Sequence, residues 1–275
     1  MNLGVLVLLD ENIEQKIEEL KSMGFSNCQL CSWNLHLHTD EYAKIIKDAC
    51  EKYGVRISAF WCGWSGPAVW DFYDGPETLG LIPEKYREKR IQELKQGSDF
   101  AKKMGVDTIA THVGFLPEIP TSKEYIEIIP RLQELCEYVK ANGQYFLFET
   151  GQETPVTLRR TIEDIGTGNL GINLDAANLI LYGKANPIDA LSVFGEYVRN
   201  IHAKDGKYPT SGKALGEETP LGKGDVKFPV FIEKLKEIGY DMDITIEREI
   251  SGEEQKRDIM NAKIFLESLW RGDSK

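Results

Sequence analysis

Gln144-Tyr145-Phe146-Leu147-Phe148-Glu149 is a short apolar run that ends on a carboxylate. An amphipathic stretch from Pro155 to Ile165 follows, and then Gly171-Ile172-Asn173-Leu174-Asp175, a second apolar run ending on a second carboxylate. Short apolar runs separated by a segment with apolar residues at three- and four-residue spacing read as strand, helix, strand. Two strands joined by one crossover helix run parallel.

The same alternation extends to both ends of the chain. Further strands are predicted over Leu3 to Leu8, Asn27 to Cys31, Arg56 to Trp61, Thr108 to His112, Val198 to His202 and Met242 to Glu247. The helical stretches around them are Glu11 to Met23, Asp40 to Tyr53, Glu84 to Met104, Ser122 to Asn142, Pro187 to Gly195, Phe228 to Ile238 and Glu253 to Trp270. Several stop at a glycine able to take positive φ, as in Tyr53-Gly54 and Met104-Gly105. Eight βα units in 275 residues sit near the roughly 250 residues of an eightfold barrel. The right-handed crossover rule then makes a closed (β/α)8 TIM barrel, one domain over residues 1–275, the expected α/β fold. An open doubly wound sheet would carry a glycine-rich turn after its first strand, and Leu8-Leu9-Asp10-Glu11 has none.

Lys and Arg number 33 against 44 Asp and Glu, a formal charge of −11, in a chain that is 41% hydrophobic and 28% charged. That balance fits an ordinary folded protein and disfavours a nucleic-acid partner. Leu3 to Leu9 is apolar, but with no basic leader and no small-residue cleavage site it reads as a strand and not as a signal peptide. No run approaches the ~20 apolar residues of a membrane span. Five cysteines, an odd and scattered set, are expected as buried thiols in a reducing cytoplasm. Cys28 and Cys31, three apart in a strand, should face opposite ways.

In such a barrel the active site lies at the C-terminal ends of the strands. Glu149, Asp175, His202 and Glu247 each end an apolar strand, so all four are expected to point into one mouth. Any one of them alone reads as a helix cap. Together, three carboxylates and an imidazole would repel and carry about −3 charge, which a divalent cation relieves. Oxygen ligands with one nitrogen suit Mn²⁺, Mg²⁺ or Co²⁺, and Zn²⁺ is also compatible. His112 ends the fourth strand, where it either reaches a sugar hydroxyl or carbonyl or is a core histidine. Trp33, Trp61 and Trp64 follow the second and third strands and form either an apolar wall or core. His36 and His38 are expected on the surface. Lys204, Lys207, Lys213 and Lys223 lie in or beside the glycine-bearing loop Gly206 to Gly224 after the seventh strand, where barrels often bind phosphate, or else they are ordinary lysines of a solvated lid. Arg248 is expected to hold an anion or to pair with Glu249.

The set Phe148-Glu149-Thr150-Gly151-Gln152-Glu153, Leu174-Asp175-Ala176-Ala177-Asn178-Leu179, Ile201-His202-Ala203-Lys204-Asp205, Leu221-Gly222-Lys223-Gly224-Asp225 and Thr245-Ile246-Glu247-Arg248-Glu249 resembles the sugar phosphate isomerase/epimerase family with the xylose isomerase-like barrel, over essentially the whole chain. The resemblance implies one metal ion, Mn²⁺ first, on Glu149, Asp175, His202 and Glu247, with both glutamates also acting as acid and base through a metal-stabilised enediolate. His112, Glu153, Asn178, Lys204, Arg248 and Trp64 are the implied contacts to a sugar or sugar phosphate. Many ketose 3-epimerases place a histidine three residues after the metal aspartate. Asn178 stands there instead, which resembles the pentulose- or hexulose-phosphate branch. A homodimer or homotetramer is the assembly such families form. An inosose-dehydratase-like lyase, an apurinic-site endonuclease-like phosphodiesterase and a non-catalytic sugar-binding barrel are the competing readings, the endonuclease disfavoured by four histidines and the acidic charge.

Overall fold

The computed structural model describes residues 2–272; Met1 and residues 273–275, at the ends of the expected domain, lie outside the described residues. Eight strands form the barrel: β1 (Asn2–Leu8), β2 (Asn27–Ser32), β3 (Arg56–Cys62), β4 (Thr108–Thr111), β5 (Tyr145–Glu149), β6 (Leu170–Asp175), β7 (Val198–Ala203) and, after a small antiparallel pair β8 (Asp205–Lys207) and β9 (Glu217–Thr219), β10 (Asp243–Ile246). Every barrel pairing is parallel, and β1 closes the cylinder by pairing with both β2 and β10. The helices are α1 (Ile13–Ser22), α2 (Asp40–Tyr53), α3 (Gly75–Thr78), α4 (Glu84–Met104), α5 (Lys123–Ala141), α6 (Pro155–Ile165), α7 (Ala176–Leu181), α8 (Pro187–Phe194), α9 (Phe228–Glu237) and α10 (Glu253–Arg271).

All eight expected strands are present. The structure adds α3, α7 and the β8–β9 pair, the last lying where a plain loop was expected. His112 and Glu247 stand one residue beyond the strands they were expected to end. The larger apolar core lies between strands and helices, while a smaller cluster includes Cys31, Trp61, Trp64, Ala110 and Leu147. His38 departs from its expected place on the surface: its ring stacks on Phe100 at 4.8 Å, and its Nε2 lies 2.9 Å from Ser32 Oγ. Burial pushes its pKa down to about 4, so it is neutral at physiological pH.

The long β3–α4 connection is held by a buried arginine. Arg90 donates through Nη1 to the carbonyls of Thr78 and Gly80 at 2.7 Å each, through Nη2 to Pro67 at 2.9 Å and through Nε to Ser65 at 3.3 Å. Its guanidinium also lies over the rings of Trp64 and Tyr86. Gly80 needs its freedom here: at φ +69° it brings its backbone so close to Val113 that a Cβ would sit 2.0 Å from the Val113 carbonyl oxygen. Arg90→Met would leave four carbonyls without that donor. We expect a loss on the order of 3 kcal/mol, read as a lower urea midpoint at unchanged m-value.

Candidate metal centre

Strand parity builds the site. Glu149 ends β5 and Asp175 ends β6, where successive side chains alternate between barrel interior and exterior. His202 lies in β7, paired with Asp175 on one side and with Thr245 of β10 on the other. Glu247 follows β10, its backbone N–H donating to the Ala203 carbonyl at 3.2 Å. One ligand atom from each of Glu149, Asp175, His202 and Glu247 lies within 4.8 Å of the others. Asp175 Oδ2, His202 Nδ1 and Glu247 Oε2 are buried and make no hydrogen bond among the described residues. His202 Nδ1 and Glu247 Oε2 stand 2.9 Å apart, out of line for a hydrogen bond.

Groups behind the four aim them. His202 Nε2 is held from behind by Gln29 Oε1 and by Asn173 Nδ2 at 3.1 Å, which turns Nδ1 toward the carboxylates. Gln29 Nε2 donates to Asn173 Oδ1 at 3.2 Å, and Asn173 Nδ2 donates to Glu149 Oε2 at 3.0 Å. Trp61 Nε1 donates to the same Glu149 oxygen. Asp175 Oδ1 accepts the Asn178 backbone N–H at 2.8 Å and so caps α7 while Oδ2 faces the cluster. Gln29 and Asn173 were missed in the sequence. Their signal was a polar side chain two residues before another inward-facing position, as in Asn173 and Asp175.

The electrostatics are those of crowded acids short of cations. Burial would raise the carboxyl of Glu149, yet His202 and His112 hold it well below the usual range. For Asp175 burial is likewise opposed by Lys204 and His202, with a lowered result. Burial lifts Glu247 to about 7 despite the same two cations. His202, which burial would make less basic, is driven well above its ordinary value by Glu149 and Glu247. Lys204 is buried beside the acids: Nζ lies 2.7 Å from Glu249 Oε1, 3.2 Å from Asn178 Oδ1 and 3.5 Å from Asp175 Oδ2.

A cavity of about 650 Å³ opens onto this cluster and is lined by His112, Glu149, Asn178, His202, Glu247 and Arg248, among others. His112 Nε2 lies 3.2 Å from Glu149 Oε1, and its Nδ1 has no hydrogen-bond partner among the described residues. Other expected substrate contacts are placed elsewhere. Trp64 does not line the cavity, because it is packed behind Trp33 and Trp61 and under Arg90. Glu153 is buried outside the lining, and Lys204 is held behind the carboxylates. Arg248 pairs with Glu218 at 2.8 Å and Asp258 at 2.9 Å, where an anion or Glu249 was expected. Lys207, Lys213 and Lys223 are exposed and outside the lining. Trp33 and Trp61 do line the cavity, and so does Trp70, which the sequence reading left out.

An eight-stranded parallel barrel that gathers Glu, Asp, His and Glu at its mouth defines a class of candidate metal-binding barrels. The chain belongs to the xylose isomerase-like TIM barrel family, whose model matches residues 17–269. A xylose isomerase domain protein from Planctomyces limnophilus is 36% identical, with a TM-score of 0.92 over 97% of this chain and 96% of that one. A D-tagatose 3-epimerase-like protein is 22% identical, with a TM-score of 0.75 over 98% and 97% of the two chains. An uncharacterized protein of Methanocaldococcus jannaschii is 25% identical over 262 residues, 90% of this chain and 83% of its own. Other solved structures of this fold, at 15–19% identity, include further sugar epimerases and a probable dehydratase. Among the described residues no helix is long and apolar enough to cross a membrane.

Glu153 gives a test of burial at the site. Burial lifts its carboxyl from 4.5 to about 7, against the opposing charge of His112. The folded chain therefore holds this proton more tightly than the unfolded one. The ionisation penalty is absent below pH 4.5, grows through the window up to about 7 and is complete above it. Glu153→Gln should gain stability relative to the parent as pH rises from 5 to 8, measured by urea unfolding of chelator-treated protein. A stability difference that does not change with pH would remove the burial effect.

Proposed function

We propose that the protein is a divalent-metal-dependent sugar epimerase or isomerase that moves a proton on the carbon beside a sugar carbonyl. Glu149, Asp175, His202 and Glu247 are the proposed metal ligands, and Glu149 and Glu247 the acid–base pair. The observation that carries this reading is the set of three buried donor atoms, on Asp175, His202 and Glu247, that find no hydrogen bond and converge with Glu149. An unsatisfied buried polar atom costs roughly 1–3 kcal/mol, more when charged. Convergent orphans of this chemistry fit a cation. Three oxygens and one nitrogen favour Mn²⁺, with Mg²⁺, Co²⁺ and Zn²⁺ as alternatives. When bound, such an ion supplies positive charge where negative charge develops on a sugar oxygen.

The chain's own groups have distinct tasks in this reading. Glu149 is held ionised by His112 and His202 and is suited to accept the proton. Glu247, the second glutamate of the cluster, is the group that returns one. His112 presents Nδ1 as a free polar atom for a substrate oxygen. Lys204 neutralises one of the three acids. The sugar epimerases that share the fold support a sugar as the substrate.

Metal-loaded protein incubated with a panel of ketoses and ketose phosphates in D₂O should incorporate deuterium at the α-carbon of at least one member, read by NMR. No exchange with any member would overturn the proton-transfer reading. Glu247→Gln should lower the rate at least ~100-fold, with metal content assayed in the same samples because the residue is also a proposed ligand. A near-parental rate at full metal content would exclude Glu247 as acid or base. Independently of turnover, chelation should lower Tm and Mn²⁺ should restore it, by about 2.7 kcal/mol at a hundredfold excess over Kd. His202→Ala should abolish that recovery.

A further inference from the structure

The place where such barrels commonly accept phosphate is filled by the chain itself. In the loop after β7 the backbone N–H groups of Gly206, Gly222, Gly224 and Val226 all donate to the Asp205 carboxylate, at 2.9, 2.9, 3.0 and 3.2 Å. Convergent backbone donors of this kind make an anion site. Here the anion is an internal side chain, and Gly224 is packed so closely that a Cβ would lie 2.2 Å from an Asp205 oxygen. The neighbouring cations are engaged as well. Arg248 is the one Lys or Arg that lines the cavity, and it is bound to Glu218 and Asp258. Lys204 is bound to Glu249. A phosphate entering the cavity would meet carboxylates and, among the described lining residues, no Lys or Arg free of an acidic partner.

The opposite wall has the reverse character. Trp70 and Trp33 stand at the rim, 41% and 40% exposed, with ring centroids 6.4 Å apart. Trp33 continues to Trp61 at 5.1 Å, and Trp61 donates to Glu149. An aromatic surface thus descends from solvent to a carboxylate of the metal cluster. Leu8, 55% exposed, and Ile250 line the same cavity. Adjacent exposed indoles in a concave apolar surface mark a binding site. At about 650 Å³ the cavity falls within the size range of sites that enclose drug-sized ligands, with room for a group beyond one sugar ring.

We propose that the substrate is an uncharged sugar carrying an apolar aryl or alkyl substituent. The sugar ring lies at the Glu149, His202 and Glu247 cluster, and the substituent lies along the wall of Trp61, Trp33 and Trp70. The position of the ring rests on the proton-transfer reading above; the preference for an apolar group and against phosphate rests on the cavity walls. This assignment stands against the phosphate branch that Asn178 resembles, and the two are separated by the binding of a phosphate.

The test is calorimetry on the Mn²⁺-loaded full chain with 6-O-methyl-D-fructose, 6-O-phenyl-D-fructose and D-fructose 6-phosphate, which keep the ketose carbonyl and differ only in the group on one oxygen. The phenyl ether should bind about ten- to a hundredfold more tightly than the methyl ether, the gain from burying one phenyl ring. The phosphate should bind no more tightly than the methyl ether. Trp33→Ala and Trp70→Ala should remove most of the phenyl preference, read as the ratio of the two affinities, with thermal unfolding confirming the fold. Equal binding of the two ethers, tighter binding of the phosphate, or no binding of any of the three overturns the proposal. Variants that change the sedimentation coefficient and keep the phenyl preference also overturn it, by making the wall an interface between copies. Because binding is read without turnover, a phenyl preference without deuterium exchange sinks the proton-transfer reading alone, and exchange without the preference sinks the substrate class alone.

Discussion

Three carboxylates brought to one end of a sheet cylinder need positive charge close by, and the mouth of this barrel is organised around that need. Lys204 supplies one charge from behind, its Nζ 3.5 Å from Asp175 and 3.8 Å from Glu247, with the side chain 2% exposed. A proposed dication would supply the other two, making the ligand shell neutral. A buried ammonium is tolerated only when its remaining donors are matched, and here Asn178 and Glu249 accept from it. The imidazole is tied to the same balance. Gln29 and Asn173 hold one nitrogen of His202 from the barrel interior, which turns the other toward the cluster. Charge and side-chain direction are therefore one coupled arrangement.

Much of this could be read from the chain. The strands announced themselves because parallel barrel strands are short apolar runs, here of four to seven residues, and the polar residue closing several of them marked the mouth. The four candidate ligands followed from that pattern, and the structure brings their side chains together. What escaped has physical reasons. α7 is six residues long and buried throughout, so it shows no amphipathic period. Gln29 and Asn173 were masked by the expectation that a strand interior is apolar, although they lie two residues from Cys31 and Asp175, on the same face. Trp70 sits in a long connection whose path is set by Arg90, and no local rule foretells that a helix arginine will bind four loop carbonyls.

The loop after β7 shows how local chemistry depends on what folds onto it. Its glycines and lysines have the composition either of a phosphate site or of a solvated lid, and the backbone donors are taken up from within the chain. The decisive residue was Asp205, which stands beside Lys204 and looks like an ordinary turn aspartate. Folding the β8–β9 pair brings Gly222, Gly224 and Val226 onto it, from positions remote in sequence. An internal carboxylate then does for the loop what a bound phosphate does elsewhere, ordering backbone donors around a negative charge.

Arg90 and Asp205 thus act as complementary internal ions on opposite sides of the mouth. One satisfies loop carbonyls after β3, the other loop N–H groups after β7, and each makes a connection rigid without help from a ligand. The division of the cavity follows from where these two loops lie. Strands β5, β6 and β7, with the segment after β10, deliver the acids and the imidazole, whereas β2, β3 and the connection held by Arg90 deliver the indoles. Parity within each strand decides only which residues face inward. Carboxylates thus stand on one arc and tryptophans on the other, and the two arcs meet where Trp61 donates to Glu149, so that a change in the indoles nearest the cluster would reach its charge balance while Trp33 and Trp70 stand further out.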